Sequence, residues 1–80
     1  MDLEEAGREW RSALMQSKLA TVEARLVRQS ITHMYMQAAA GHGPLPTFQQ
    51  LAEAARLEQV AEDRRLIEEA LLDRVFGVTR

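Results

Sequence analysis

The sequence predicts an all-α fold, an antiparallel hairpin of two helices over residues 3–40 and 48–76, in a single domain of residues 1–80. Three observations predict it. An apolar pattern of helical period runs through the first half, a glycine and proline cluster interrupts the middle, and a second stretch without either residue follows. The connection between the two helices is only about seven residues long, and connections of this length normally make two long helices antiparallel neighbours.

The first helix carries apolar or small side chains at alternating spacings of three and four, as on one face of an α-helix. These positions are Leu3, Ala6, Trp10, Ala13, Ser17, Ala20, Ala24, Val27, Ile31, Met34 and Ala38. Asp2, followed by two glutamates, is the expected N-cap. Residues 30–32 combine β-branched and hydroxyl side chains, which lower helix propensity. A break there, which would give three helices, is the alternative.

A second apolar stripe lies about 160° around the same helix, at about 100° per residue. Because the second helix covers only one face, we expect this stripe to bind a protein partner or a second copy. A homo-oligomer, such as a four-helix bundle completed by dimerisation, and docking on another protein both satisfy the pattern. The expected partner-binding residues are Met15, Leu19, Val22, Leu26, His33 and Met36, together with Trp10.

The loop and the second helix are marked by local signals. Gly41 suits the left-handed residue that closes a helix, and the prolines that follow cannot continue it. Thr47 and Gln50 fit a capping box, and Gly77 is the expected C-terminal stop, beyond which 78–80 should fray. Folding the hairpin pairs residue i with about 87 − i, which places Trp10 near Phe76. The expected hairpin core is Ala20, Val27, Ile31, Met34, Leu51, Ala55, Val60, Ile67 and Leu71.

Composition narrows the function classes. The 80 residues include no cysteine, so disulfides, thiolate zinc sites and cysteine nucleophiles are excluded. The formal net charge of -2 argues against binding to duplex nucleic acid. The N-terminus is acidic, and no apolar run approaches the ~20 residues that span a bilayer. We therefore expect a cytoplasmic protein that has no contact with a membrane.

The residues that carry catalytic or metal chemistry are sparse. His33 and His42 are the only histidines, and the sequence has no phosphate-binding glycine loop or nucleophile elbow. Residues 33–36, His-Met-Tyr-Met, offer soft copper ligands, but Met34 and Met36 diverge by about 200° on a helix. We expect no catalytic residue, no metal site, no cofactor and no small-molecule substrate, so the chain is not expected to be an enzyme.

These observations favour a non-enzymatic protein–protein interaction module, such as a small adaptor, assembly factor or co-chaperone. In size and layout only, the chain is similar to the two-helix co-chaperones of type III secretion systems, which bind a larger chaperone and the needle subunit. The alternative is a small regulatory protein. It would be either a helix-turn-helix-like nucleic-acid binder around 47–66, with its turn near 57–59, or a phage-type modulator of a larger complex.

Overall fold

The computed structural model describes residues 3–77, which form two α-helices joined by one loop. Helix α1 spans Leu3–Ala39 and helix α2 spans Phe48–Phe76. The two-helix prediction is confirmed. α1 is continuous through residues 30–32, so the three-helix alternative is wrong; packing against α2 outweighs the weak helix propensity there. The expected N-cap Asp2 and residues 78–80 lie outside the described residues.

The C-terminus of α1 is closed by a Schellman motif centred on Gly41. Gly41 has a φ of 78°, in the left-handed region. Its backbone N–H donates to the Ala38 carbonyl at 3.0 Å, and the His42 N–H donates to the Gln37 carbonyl at 2.8 Å. These two bonds satisfy carbonyls that the end of the helix would otherwise leave unpaired.

The N-terminus of α2 carries the predicted capping box. The Thr47 hydroxyl accepts the Gln50 backbone N–H at 3.1 Å, and the Gln50 side-chain oxygen accepts the Thr47 N–H at 2.8 Å. At the other end Gly77, with a φ of 61°, donates its N–H to the Asp73 carbonyl. Both ends of α2 are thus defined by residues next to them in sequence.

The hairpin is a slender rod, with principal extents of 58 × 20 × 18 Å. Its buried residues are small on α1 and large on α2: Ala6, Ser17, Ala24 and Leu57. Small side chains let the α2 backbone approach closely, so that Leu57 fills the space between the helices. No described side chain is fully enclosed, so the core is thin.

The structure corrects the predicted contact face of α2. Ala55 and Ile67, expected in the core, are exposed. The covered face instead runs through Ala54, Leu57 and Ala61, where Leu57 is 7% exposed. The side chains of Ala54 and Ala55 point about 100° apart on the helix, so when Ala54 faces α1, Ala55 points away from the contact. The other expected core residues are half-buried: Ala20, Val27, Ile31, Met34, Leu51, Val60 and Leu71.

The predicted register holds for Trp10 with Phe76 and for Arg28 with Glu58, and one contact between long side chains departs from it. Trp10 contacts Phe76 edge-on, with ring centroids 6.1 Å apart and planes inclined by 81°. Arg64 donates a hydrogen bond to the Gln16 side-chain oxygen at 2.7 Å, whereas the predicted relation places Gln16 opposite residue 71.

Candidate functional site: the outer face of α1

The candidate site is the side of α1 that points away from α2. Five apolar side chains there are exposed: Met15 to 62%, Leu19 to 63%, Val22 to 49%, Leu26 to 60% and Met36 to 65%. His33 is exposed among them. We term these six residues the outer face. These six residues are the second apolar stripe predicted from the sequence, and α2 covers none of them.

The outer face and the hairpin core are on opposite sides of one helix. Ala24 is buried against α2, whereas Leu26, two residues later, is exposed. Two residues correspond to about 200° of rotation. Both stripes of α1 are therefore distinct surfaces, one covered by α2 and one open to solvent.

A row of basic side chains borders the outer face. Arg11, Lys18 and Arg25 are seven residues apart, so they lie above one another along one edge of the stripe. All three are exposed, and none forms an ion pair or hydrogen bond with another described side chain. Arg8, which is also exposed and has no ion-pair partner among residues 3–77, extends this positive surface towards the N-terminus. Sequence analysis did not identify the row, although its seven-residue spacing was a readable signal.

The other described arginines are bound within the chain. Arg28 pairs with Glu58 across the helices. Each arginine of α2 also has a partner: Arg56 with Glu53, Arg64 with Gln16, Arg65 with Glu62 and Glu69, and Arg74 with Glu9. Among residues 3–77, the basic groups without a partner are therefore concentrated on the outer side of α1.

These internal pairs also occupy many of the carboxylates of α2. Arg65 lies 2.7 Å from a Glu62 oxygen and 2.6 Å from a Glu69 oxygen. Its hydrogen bonds hold the pKa of the Glu62 carboxyl below its ordinary value, and Arg56 does the same for Glu53. Four of the seven carboxylates of α2 therefore have an arginine beside them within the chain, whereas the basic edge of α1 has no carboxylate partner among the described residues.

Trp10 does not belong to the outer face. It is half-buried at the open end of the hairpin, where it packs on Phe76. Trp10 is among the expected partner-binding residues, and it lies on the stripe that α2 covers. Its indole Nε1 is buried and has no hydrogen-bond partner in the described structure.

A groove of about 610 Å³ runs between the helices near the loop. Its apolar lining comes from Val27, Ile31 and Met34, and the Glu53–Arg56 pair lies on its α2 side. Sequence reasoning placed these apolar residues in a closed core. The structure leaves them half-exposed because two helices alone do not enclose both sides of their contact line.

The remaining sequence motifs do not converge in space. Met34 is half-buried in the groove while Met36 is exposed on the outer face, so the two thioethers diverge as expected. Within residues 3–77, no three histidine or carboxylate groups lie close enough to hold a metal ion. α2 is unbroken through 57–59, so the turn that a helix-turn-helix requires there is absent. Neither described helix is both long and apolar enough to cross a bilayer.

Comparison of the chain with protein-family models, with curated proteins and with solved structures finds no match.

Proposed function

We propose that this chain is a non-enzymatic protein–protein interaction module, such as an adaptor, assembly factor or co-chaperone, that binds a helix along the outer face of α1. One observation carries the proposal. Four large apolar side chains, those of Met15, Leu19, Val22 and Leu26, are exposed at 3-4 spacing on the side of α1 that α2 does not cover, and Met36 is exposed further along the same side. Contiguous exposed apolar surface of this kind marks an interaction site in monomeric proteins.

The thinness of the hairpin core also supports association. Leu57 is the one large side chain among the buried residues of the described chain. Fully burying a leucine or methionine side chain contributes about 1.5–3 kcal/mol. Covering Met15, Leu19 and Leu26 would therefore add more apolar burial than the hairpin obtains from Leu57. Small domains without disulfides or metals commonly gain stability in this way.

The opposed stripes define how a partner helix would pack. A compact four-helix bundle needs helices whose two contact directions are about 90° apart. On α1 the two directions are nearly opposite, about 160–200° apart. A partner on the outer face would therefore lie in a row with α1 and α2, so we favour a layered assembly over a square bundle.

Site-specific photo-cross-linking in the native cell tests the proposal. A photoreactive residue replaces Leu26 in one variant and Leu66 in the other, a matched exposed leucine on α2. We expect adducts of defined mass from position 26 and none from position 66, identified by mass spectrometry. An adduct with another protein or with a second copy supports the proposal. No adduct at position 26, with a folded 9.1 kDa monomer in light scattering, contradicts it.

A further inference from the structure

We infer that the occupant of the outer face is an acidic amphipathic helix of a different protein. This inference rests on the proposed function and adds the chemistry of the partner. It follows from the basic row, Arg11, Lys18 and Arg25, which runs beside the apolar stripe without a counter-charge from the described residues of its own chain.

The spacing of the row fits a second helix. Leu19 and Leu26 are seven residues apart, as are Met15 and Val22, so the stripe has the two seam positions of a heptad. Lys18 and Arg25 immediately precede Leu19 and Leu26, in the position that flanks a helix–helix seam, and Arg11 continues the same edge one heptad earlier. Residues at flanking positions contact the flanks of the partner helix and set its identity and orientation. The partner therefore needs carboxylates repeated every seven residues beside its own apolar stripe.

A second copy of α1 does not supply these carboxylates. If two copies of α1 packed antiparallel along their outer faces, the basic row of one copy would lie against the basic row of the other, and like charges oppose association. If the two copies packed in parallel, the basic row of one copy would lie against the opposite edge of the stripe in the other copy, which carries Gln16, Glu23 and Ser30. Only Lys18 would then meet an opposite charge, and Gln16 is already hydrogen-bonded to Arg64.

The outer surface of α2 in a second copy is no better a match. Four of its seven carboxylates, those of Glu53, Glu58, Glu62 and Glu69, are engaged by arginines of the same chain, and Asp63 accepts a hydrogen bond from Gln59. Recruiting them to another molecule would break these pairs. A lipid surface fits less well than a helix, because the outer face has none of the aromatic residues that anchor helices at a bilayer interface.

Two synthetic helical peptides of about four heptads test the inference. They share one leucine and isoleucine seam and differ only at the flanking positions, which are all glutamate in one and all lysine in the other. Fluorescence anisotropy with the full chain measures each affinity at low salt and at about 0.5 M salt. We expect the glutamate peptide to bind at least about tenfold more tightly at low salt, a factor set by charge pairing. The difference should shrink at high salt.

Matched charge reversals show whether the row is responsible. Lys18→Glu should weaken binding of the glutamate peptide and strengthen that of the lysine peptide. Arg56→Glu, the same kind of change at an exposed site on α2, should keep the wild-type preference. Circular dichroism establishes that both variants remain helical.

Several outcomes would overturn the inference, and they separate it from the proposed function. Equal affinity for both peptides would show that the basic row does not select the partner. A stable dimer that excludes both peptides would assign the face to a second copy, and the proposed function would survive. Tighter binding to vesicles of anionic phospholipid than to either peptide, lost in Leu26→Asp, would assign the face to a membrane surface. Failure of both peptides, with no cross-link at position 26, would overturn the inference and the proposed function together.

Discussion

Gly41 determines how α1 ends, because its φ of 78° lies where only glycine is unstrained. Gly41→Ala should lower the free energy of unfolding by about 1–2 kcal/mol, the cost of a left-handed non-glycine residue. Gly43→Ala is the matched control. Its added Cβ would meet only the Gln37 Cβ, at an ordinary 3.5 Å, so we expect little change. Urea titrations at one protein concentration measure both, and equal losses would contradict the assignment.

Thr47 has a comparable role at the start of α2, where it takes part in both bonds of the capping box. Thr47→Ala should cost about 0.5–2 kcal/mol because the Gln50 N–H loses its acceptor. Thr47→Ser keeps the hydroxyl and should retain most of that stability. Thermal melts of the two variants decide the point. A serine variant as unstable as the alanine variant would show that the methyl group, and not the cap, is what matters.

At the scale of the helices, stability should depend on which face of α2 is changed. Leu57→Asp places an unpaired charge in the buried centre of the contact, and the transfer cost of several kcal/mol exceeds what so thin a core can tolerate. Leu66→Asp makes the same change at an exposed position and should alter stability by only about 0.5 kcal/mol. Circular dichroism should show a loss of helix in the first variant alone. Equal helicity in both would mean that Leu57 is not central to the pairing.

For the whole molecule, covering the outer face should stabilise the hairpin. The glutamate peptide at 100 times its dissociation constant adds about 2.7 kcal/mol if it binds only the folded chain. For a domain of this size, that corresponds to a rise in Tm of more than about 10 °C. Differential scanning calorimetry with wild type and Leu26→Asp makes the comparison. The variant should show no rise, and an equal rise in both would place the peptide elsewhere, such as in the groove by the loop.

The sequence by itself determined the two helices, the C-terminal end of α1, both ends of α2 and the two stripes of α1. The Schellman glycine, the capping box and the 3-4 spacing depend on residues within a turn or two of each other, so local hydrogen bonding is enough to predict them. The outer face was predictable for the same reason: α1 has apolar residues on two opposite sides, and a single neighbouring helix covers one.

Only the tertiary structure decided which face of α2 meets α1 and which charges remain free. α2 has apolar or alanine side chains in almost every direction, among them Leu51, Ala54, Ala55, Leu57 and Ile67, so periodicity cannot select one face. The choice depends on Leu57 fitting against the small residues of α1. The basic row stands out for a reason that is only partly non-local. Arg28, Arg64 and Arg74 find their partners across the hairpin, and that pairing cannot be read from spacing along one helix. Arg56 and Arg65 instead pair with glutamates three or four residues away on α2, and spacing alone predicts such pairs.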